Sequence, residues 1–319
     1  MLVAGGNNPS GDLSSAEIYD PTTGSWSFTG VMPTTRNAST AALLPDGCVL
    51  VAGGYDSDGI CGSAVLYDPA TGKWKTTGFM SAGHYGHTMT LLASGKVLIA
   101  GGENGGGSAK NCPSLKTAEL FDPGTGRWTL TSPMTAPRSE HTATLLADGR
   151  VLVTGGYTDG GLGGESLASA ELYNPITGKW TETGAMHVAR CYLTATLLPD
   201  GKVLVAGGFG GTDSATTAEL FNPATGKWTL TGPMKAEHSQ HKATLLSDGR
   251  VVVVGGDPKV EIYNPVTGTW TAAGKLNFPF AFADHTATLL PNGKVLIAGG
   301  FYAGTHVASS EIFVPSAGK

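Results

Sequence analysis

The sequence predicts an all-β protein, a β-propeller built from one four-stranded sheet, or blade, per repeat. Three observations predict this fold: a recurring glycine doublet, paired apolar runs joined by tight turns, and the absence of helical periodicity. The doublets that close apolar runs begin 44 to 54 residues apart, which is typical of a repeat architecture. Their first glycines are Gly5, Gly53, Gly101, Gly155, Gly207, Gly255 and Gly299.

Residues 192–231 show how one repeat is read. Asp200-Gly201 separates two apolar runs, and an Asp-Gly turn between such runs is a strong hairpin signal because it favours positive φ. A second turn, residues 222–226, starts with Asn-Pro and ends with glycine. The predicted strands, named a, b, c and d, cover 192–198, 202–206, 218–221 and the residues from 227 onward. Four short antiparallel strands are typical of a propeller blade.

The repeat resembles that of the Kelch family, which is about 50 residues long. The resemblance covers essentially the whole chain, and two copies illustrate it: Gly53-Gly54 with Tyr67 and Trp74, and Gly207-Gly208 with Phe221 and Trp228. The chain has no Trp-Asp dipeptide and its period is too long for a WD-type propeller, so that class is excluded. The resemblance implies a Kelch-type propeller, with a more distant likeness to galactose oxidase-type propellers.

The number of blades follows from counting strands. The chain offers six a, seven b, seven c and six d strands, and both ends look cut within a repeat. Seven blades, two of them incomplete, are favoured over six, because six would leave a lone hairpin that is unstable in water. With no linker visible, residues 1–319 are expected to form a single propeller domain.

Residues that recur at one repeat position are interpreted as scaffold. The strand d tryptophans each bury about 150–250 Å² and are expected to join neighbouring blades. Strand c carries a recurring glutamate with the same interpretation. The two sets are Trp26, Trp74, Trp128, Trp180, Trp228 and Trp270, and Glu17, Glu119, Glu171, Glu219, Glu261 and Glu311.

Composition limits the partners and the compartment. The net charge is −5 and no basic run occurs, which argues against nucleic acid. No apolar stretch approaches the roughly 18 residues of a membrane span, and we expect a monomer. Cys61 and Cys112 lie in loops of neighbouring repeats and could form a disulfide, which would favour a secreted protein in an extracellular or periplasmic setting.

Function is expected on the side of each sheet where the b–c and d–a loops lie, because these loops vary while the opposite turns are regular. All eight histidines map there. Four of them share one position at the start of strand a, so a repeated hydrogen-bonding role is expected rather than a metal site, and no cofactor is predicted. They are His87, His141, His241 and His285.

Two positions beside that histidine break the repeat and are therefore candidates for a binding site at the mouth of a central channel. Three residues before it stand Arg36, His84, Arg138, Arg190, His238 and Phe282, and directly before it stand Ala38, Gly86, Glu140, Tyr192, Gln240 and Asp284. Arginine suits carboxylates, because its guanidinium matches their geometry. The predicted ligand-binding residues are Arg36, Tyr85, Arg138, Arg190, Gln240, Phe278, Phe280, Phe282 and Asp284.

Two functions remain open. The first is a recognition propeller that binds an anionic small molecule, a glycan or a peptide. The second is an acid–base enzyme, a lyase, epimerase or isomerase, acting on a sugar acid or other carboxylate, with His84 or His238 as base and Tyr192 or Glu140 as acid. Relatives resembling this fold include a sugar-acid epimerase and copper-dependent galactose oxidase, but the chain lacks the Tyr-His dipeptide that the copper site needs.

Overall fold

A computed structural model describes residues 1–105, 113–158, 164–277, 284–302 and 304–316, and these residues contain strands but no helix. Up to residue 145 the strands are β1 (Leu2–Ala4), β2 (Asn7–Asn8), β3 (Gly11–Asp12), β4 (Ala16–Asp20), β5 (Ser25–Phe28), β6 (Thr40–Leu43), β7 (Val49–Ala52), β8 (Tyr55–Asp56), β9 (Gly59–Ile60), β10 (Ala64–Asp68), β11 (Lys73–Thr76), β12 (Thr88–Leu91), β13 (Val97–Ala100), β14 (Ala118–Asp122), β15 (Arg127–Leu130) and β16 (Thr142–Leu145). After it come β17 (Val151–Thr154), β18 (Ala170–Asn174), β19 (Lys179–Thr183), β20 (Arg190–Cys191), β21 (Thr194–Leu197), β22 (Val203–Ala206), β23 (Phe209–Gly210), β24 (Ala218–Asn222), β25 (Lys227–Leu230), β26 (Lys242–Leu245), β27 (Val251–Gly255), β28 (Asp257–Asn264), β29 (Thr269–Lys275), β30 (Thr286–Leu289), β31 (Val295–Ala298), β32 (Phe301–Tyr302), β33 (Thr305–His306) and β34 (Ser310–Phe313).

Within the described residues these strands form seven sheets of three or four strands, numbered 1 to 7 in chain order. Their strand orders are β1-β4-β5, β6-β7-β10-β11, β12-β13-β14-β15, β16-β17-β18-β19, β21-β22-β24-β25, β26-β27-β28-β29 and β30-β31-β34. The first and last sheets have three strands and the other five have four. The predicted arrangement of seven blades, two of them incomplete, is confirmed.

The hairpin between strands a and b forms where the Asp-Gly turn predicted it. In sheet 5, Leu197 pairs with Val203, and Gly201 adopts φ 83°. The Leu198 amide donates to the Lys202 carbonyl at 2.8 Å and closes the turn. Because positive φ is strained for residues with a Cβ, glycine fixes both the place and the tightness of this reversal.

In sheets 2 to 7 strand b is an inner strand and the most buried strand of its sheet. All four residues of β13, β22 and β31 are buried, whereas strand d is largely exposed. Apolar side chains of consecutive sheets pack together between these strands. One such core contains Leu50 of sheet 2 with Ile99 and Phe121 of sheet 3.

The strand d tryptophans join consecutive sheets, as predicted. Trp180 Nε1 donates to the Ser132 carbonyl at 2.9 Å, and Trp228 Nε1 donates to the Gly184 carbonyl at 2.6 Å. In both cases the acceptor lies just after strand d of the preceding sheet. Each ring also packs on an aromatic ring of strand c, as Trp228 does on Phe221 with centroids 5.0 Å apart. The indole therefore contributes both apolar area and a directed hydrogen bond.

The chain divides into two compact units. Unit 1 comprises residues 1–151, 157–165 and 171–181, and unit 2 comprises 152–156, 166–170 and 182–319. In the part of the chain that the structure describes, no helix is long and apolar enough to cross a membrane.

Candidate functional site

Each d–a loop can place a buried arginine or histidine against the strand c glutamate of the following sheet. Arg138 Nη2 donates to Glu171 Oε1 at 2.9 Å, and Arg190 Nη2 donates to Glu219 Oε1 at 3.1 Å. Counterparts with histidine are His84 with Glu119 and His238 with Glu261, whose closest nitrogen and oxygen atoms are 3.6 and 3.3 Å apart. Ion pairing and hydrogen bonding offset the free-energy cost of burying a charge, so these contacts serve the scaffold.

The same glutamates also hold the backbone of the d–a loop. Glu119 accepts from the Ser81 amide at 2.9 Å, and Glu171 accepts from the Thr135 amide at 2.8 Å. Burial opposes ionisation of Glu119, but the nearby His84 ring and the hydrogen bonds from Ser81 hold its pKa below the usual value. The scaffold role predicted for the recurring glutamate is confirmed.

The arginines predicted to bind a ligand and the two histidines predicted as catalytic bases lie differently from the open channel mouth expected for them. Five side chains that were expected at an open channel mouth are fully buried: Arg36, His84, Arg138, Arg190 and His238. At four of these positions the loop folds inward because the glutamate of the next sheet attracts the side chain, and Arg36 is the exception. These residues therefore position the loops, and they offer a ligand no accessible surface.

Arg36 is buried without a glutamate partner, because sheet 2 carries Val65 at the strand c position. Its Nη1 donates to the carbonyls of Gly53 and Ser63, both at 3.1 Å. Its Nη2 donates to the hydroxyls of Thr34 at 2.9 Å and Ser63 at 2.8 Å. Carbonyl and hydroxyl oxygens thus replace the carboxylate at this one loop.

The strand a histidines hydrogen-bond from one sheet to the next, as predicted. The Nε2 atom of His87 lies 2.6 Å from Thr40 Oγ1, and that of His241 lies 2.8 Å from Thr194 Oγ1. Burial lowers the pKa of His87 to about 3 and that of His285 to about 4. A Cβ on Gly101 would lie 2.7 Å from Cε1 of His141, so the first glycine of the doublet makes room for this ring.

The residue directly before the histidine adopts a left-handed backbone in every described copy. The φ values are 51° for Ala38, 62° for Gly86, 51° for Glu140, 52° for Tyr192, 53° for Gln240 and 64° for Asp284. The turns of consecutive sheets are joined through this position, since the Glu140 amide donates to the Gly86 carbonyl at 2.9 Å and the Gln240 amide to the Tyr192 carbonyl at 3.1 Å. A non-glycine residue costs about 1–2 kcal/mol in this conformation.

This left-handed position turns its side chain toward solvent. Glu140, Tyr192 and Gln240 are partly exposed, and Asp284 is exposed. These four predicted site residues are therefore accessible, in contrast to the arginines. Phe278, Phe280 and Phe282 lie outside the described residues.

In unit 1 the loops bring together a set of polar and aromatic side chains, named here the tyrosine–glutamate cluster: Tyr55, Tyr85, Glu103, Ser139 and Tyr157. Short backbone bridges pair Tyr85 with Glu103 and Ser139 with Tyr157. Tyr55, Glu103 and Tyr157 directly follow the glycine doublets of three consecutive repeats. Tyr55, Glu103 and Tyr157 therefore each lie at the start of the loop that follows strand b and its glycine doublet.

Glu103 is the centre of the cluster. Its Oε1 accepts from the Tyr157 hydroxyl at 2.5 Å and from Ser139 Oγ at 2.8 Å. The Tyr55 and Tyr85 rings meet edge to face with centroids 5.6 Å apart. Glu103 is 6% exposed, whereas the three tyrosines are partly exposed. Burial and the hydrogen bond to Glu103 raise the pKa of Tyr157.

Sequence reasoning named Tyr85 but missed the other members of the cluster. A usable signal existed, because the residue after the doublet is of five types in seven repeats, as it would be at a position the scaffold does not need. The residues there are Asn7, Tyr55, Glu103, Tyr157, Phe209, Asp257 and Phe301.

Unit 2 uses the same position differently. Phe209 follows the doublet, is 68% exposed, and pairs through its backbone with Cys191. Tyr192 and Gln240 occupy the left-handed position in two turns of this unit, so the loop groups named here are an apolar ring, a phenol and an amide. No carboxylate corresponding to Glu103 follows the doublet of this repeat.

The predicted disulfide is also corrected. Cys61 has a free thiol, which donates to Asp56 Oδ2 at 3.4 Å, and burial raises its pKa to about 11. Cys112 lies outside the described residues. Among the residues that are described, no three His, Cys, Asp or Glu side chains converge as metal ligands would.

Comparison with known proteins places the repeats in one family. Residues 86–300 match the model of the KLHDC2/KLHL20/DRC7 Kelch-repeats domain, and residues 1–32 and 36–77 match the Kelch motif. The chain is 35% identical over 104 residues to mouse Kelch-like protein 40, covering 33% of this chain and 16% of that protein. It is 32% identical over 101 residues to spermatocyte protein spe-26 of Caenorhabditis elegans, covering 31% and 16%. The chain thus spans less than a fifth of either relative.

Two solved structures share the fold at low identity. A fungal alcohol oxidase of the AA5 family in complex with copper is 19% identical, with a TM-score of 0.77 over 98% of this chain and 71% of that one. YjhT is 16% identical, with a TM-score of 0.67 over 88% of this chain and 95% of that one. The chain therefore belongs to the Kelch-repeat family, and its fold is an all-β, seven-bladed β-propeller.

Proposed function

We propose that this chain is a recognition propeller that binds a small molecule, a glycan or a peptide on the side of its sheets formed by the b–c and d–a loops. Kelch domains generally bind proteins or small ligands, which agrees with this proposal. The observation that carries it is the tyrosine–glutamate cluster, where the partly exposed phenol of Tyr157 donates to the nearly buried carboxylate of Glu103 and two further partly exposed tyrosines lie in the adjoining loops. Aromatic and polar groups that converge at irregular loops are typical of ligand sites.

The contrast between neighbouring positions supports this choice of site. Residues that repeat, such as the strand a histidines, are buried and hydrogen-bonded to the next sheet. Residues that do not repeat, such as Glu140 and Tyr157, are accessible in part. A propeller that served only as a scaffold would need no such variety at its loops.

Burial of the arginines changes the ligand classes under consideration. An anionic ligand was expected because Arg36, Arg138 and Arg190 were assumed to be accessible. All three guanidinium groups are enclosed and hydrogen-bonded within the protein. Peptides, glycans and uncharged or cationic small molecules therefore fit the cluster better than anions do.

A binding screen with matched variants tests the proposal. Immobilised glycans and short peptides would be screened against the parent chain, Glu103→Gln and Tyr157→Phe. Lys96→Ala is the control, because Lys96 lies at the a–b turn, at the opposite end of the sheet, where it pairs with Asp122. We expect at least a tenfold loss of binding in the two cluster variants only. Equal binding by all four proteins would place the site elsewhere and refute the proposal.

The alternative function, an acid–base enzyme, is favoured by one observation. The Tyr157 hydroxyl is hydrogen-bonded to Glu103 at 2.5 Å, and such a pair could exchange a proton with a substrate. Incubating sugar acids with the protein in heavy water and following solvent exchange at the carbon next to the carboxylate by NMR tests this function. Exchange that Tyr157→Phe abolishes would favour the enzyme, and its absence would favour recognition alone.

A further inference from the structure

We propose that the ligand of the tyrosine–glutamate cluster presents an ammonium group, such as the side chain of a lysine in a peptide. This inference rests on the proposed function, because it assumes that the cluster is the binding site. It departs from the anionic ligand expected from the sequence.

The first argument is the carboxylate at the centre of the cluster. Glu103 is 6% exposed and receives two hydrogen bonds, both on Oε1. Its Oε2 has no hydrogen-bond partner among the described residues. A nearly buried carboxylate whose second oxygen accepts no hydrogen bond favours a ligand group that donates a hydrogen bond and carries positive charge.

The second argument is the aromatic surroundings. Tyr55 and Tyr85 meet edge to face, and Tyr157 is joined to Glu103 through its hydroxyl. A cation over a phenol ring within about 6 Å of its centroid is attracted by the ring quadrupole. An ammonium group is compact enough to contact a ring face and the carboxylate together.

The third argument is the charge of the surrounding loops of unit 1. The described acidic side chains there are Asp12, Asp56, Asp58, Glu103, Glu140 and Glu165, and the exposed basic side chain among the described residues is Lys116. Arg36 and Arg138 also lie in these loops, but both are fully buried. The loops thus attract cations and repel anions before any contact forms.

A neutral glycan is the main competing occupant, because tyrosines and carboxylates also suit sugar hydroxyl groups. The charge of the loops favours the cation, since a neutral ligand gains nothing from six carboxylates. Salt distinguishes the two: binding of an ammonium weakens with ionic strength, and binding of a neutral sugar does not.

The test uses three peptides that differ only at one side chain. The peptide Gly-Gly-Lys-Gly-Gly, its Nε-trimethylated form and its Nε-acetylated form would be titrated into the full chain by isothermal titration calorimetry at low and physiological salt. We expect the unmodified peptide to bind at least tenfold more tightly than the acetylated one. The trimethylated peptide keeps the charge but has no N–H to donate to Glu103, so we expect its affinity to lie between the two. We expect Glu103→Gln and Tyr85→Ala each to remove most of this difference, and Lys96→Ala to bind like the parent.

The outcomes separate this inference from the proposed function. The acetylated peptide or a glycan could bind as tightly as the cationic peptides, with this binding lost in Glu103→Gln or Tyr85→Ala. In that case the cluster is a binding site and the ammonium inference is wrong. If no peptide binds the parent, the ammonium inference is also wrong. If the cluster variants leave the binding of every peptide and every glycan unchanged, the proposed function fails as well. Circular dichroism of each variant excludes unfolding as the cause.

Discussion

Two positions of the d–a loops, only two residues apart, differ in whether their side chains are buried or exposed. Three residues before the strand a histidine, the side chain is fully buried, as Arg138 and His238 are. Two residues later, at the left-handed position, Glu140 and Gln240 reach solvent. Both positions vary along the sequence, so variation alone does not distinguish a binding residue from a loop anchor. The direction of the backbone therefore decides whether a varying side chain anchors the loop or reaches solvent.

A second comparison lies within the buried position itself. Arg36 and Arg138 are equally buried, but Arg138 pairs with Glu171 at 2.9 Å, whereas Arg36 faces sheet 2 with Val65 in place of the glutamate. Backbone carbonyls and two hydroxyls accept its hydrogen bonds. The fold therefore tolerates a buried arginine with or without a carboxylate, and the energetic consequences can be separated by mutation.

The largest expected effect is the loss of a buried carboxylate. Glu171→Ala leaves Arg138 charged and buried, and removes the acceptor of the Thr135 amide. We expect the free energy of unfolding in urea to fall by about 3–5 kcal/mol. The control is Glu182→Ala on exposed strand β19, which should change it by less than about 0.5 kcal/mol. A loss below 1 kcal/mol for Glu171→Ala would show that the pair is not structural.

A matched pair of arginine variants sharpens the second comparison. Arg138→Met leaves Glu171 buried without its cation, and we expect a loss of about 3 kcal/mol. Arg36→Met leaves only neutral acceptors, and we expect about 1–2 kcal/mol. Urea unfolding of both variants measures the difference. Equal losses would contradict the argument that Val65 makes the two sites energetically distinct.

The buried histidines predict a loss of stability in acid. Burial, with a smaller contribution from Lys242, lowers the pKa of His285 to about 4, while in the unfolded chain it is about 6.5. The folded state therefore binds fewer protons, and the stabilising contribution of neutral His285 is complete above pH 6.5. It decreases by about 1.4 kcal/mol per pH unit as the pH falls from 6.5 towards 4.

Urea unfolding at pH 7 and pH 5.5 measures this contribution. We expect His285→Gln to lose about 1.4 kcal/mol less than the parent between these pH values. Val314→Ala, which changes an exposed residue without a titratable group near the same sheet, should lose as much as the parent. An identical pH dependence in parent and His285→Gln would refute the assignment.

The smallest expected effect concerns the left-handed position. Gln240 has φ 53°, so Gln240→Gly should raise the free energy of unfolding by about 0.5–1 kcal/mol through relief of strain. The reverse change, Gly86→Ala, should lower it by about 1 kcal/mol, since its new Cβ would adopt φ 62° and lie 2.7 Å from Glu140 Oε1. Changes of the same sign in both variants would show that backbone strain is not the cause.

Much of the fold could be predicted from local chemistry. Asp200-Gly201 predicts a hairpin turn because glycine at positive φ allows the reversal, and the structure has β21 and β22 on either side of it. The strand d tryptophans predict contacts between blades, and Trp180 makes one through its indole nitrogen. The turn depends on a few neighbouring residues, and the tryptophan recurs at one position of the repeat, which is why the sequence reveals both.

The candidate site could be predicted only in part. The varying loop positions drew attention to Tyr85, Glu140, Tyr192 and Gln240, and the structure leaves all four partly exposed. The same reasoning misplaced Arg190, because a glutamate 29 residues away turns its side chain inward. It also missed Glu103 and Tyr157, which meet across 54 residues.

The amino-acid sequence by itself determined the repeat, the turns and the strands, because hydrogen bonding and φ preferences act over a few residues. It also determined the recurring partners of the scaffold, the tryptophans and glutamates. Only the tertiary structure decided which of the varying side chains are enclosed and which reach solvent. Burial depends on how residues of different sheets pack together. The sequence of a single repeat does not specify these contacts between sheets.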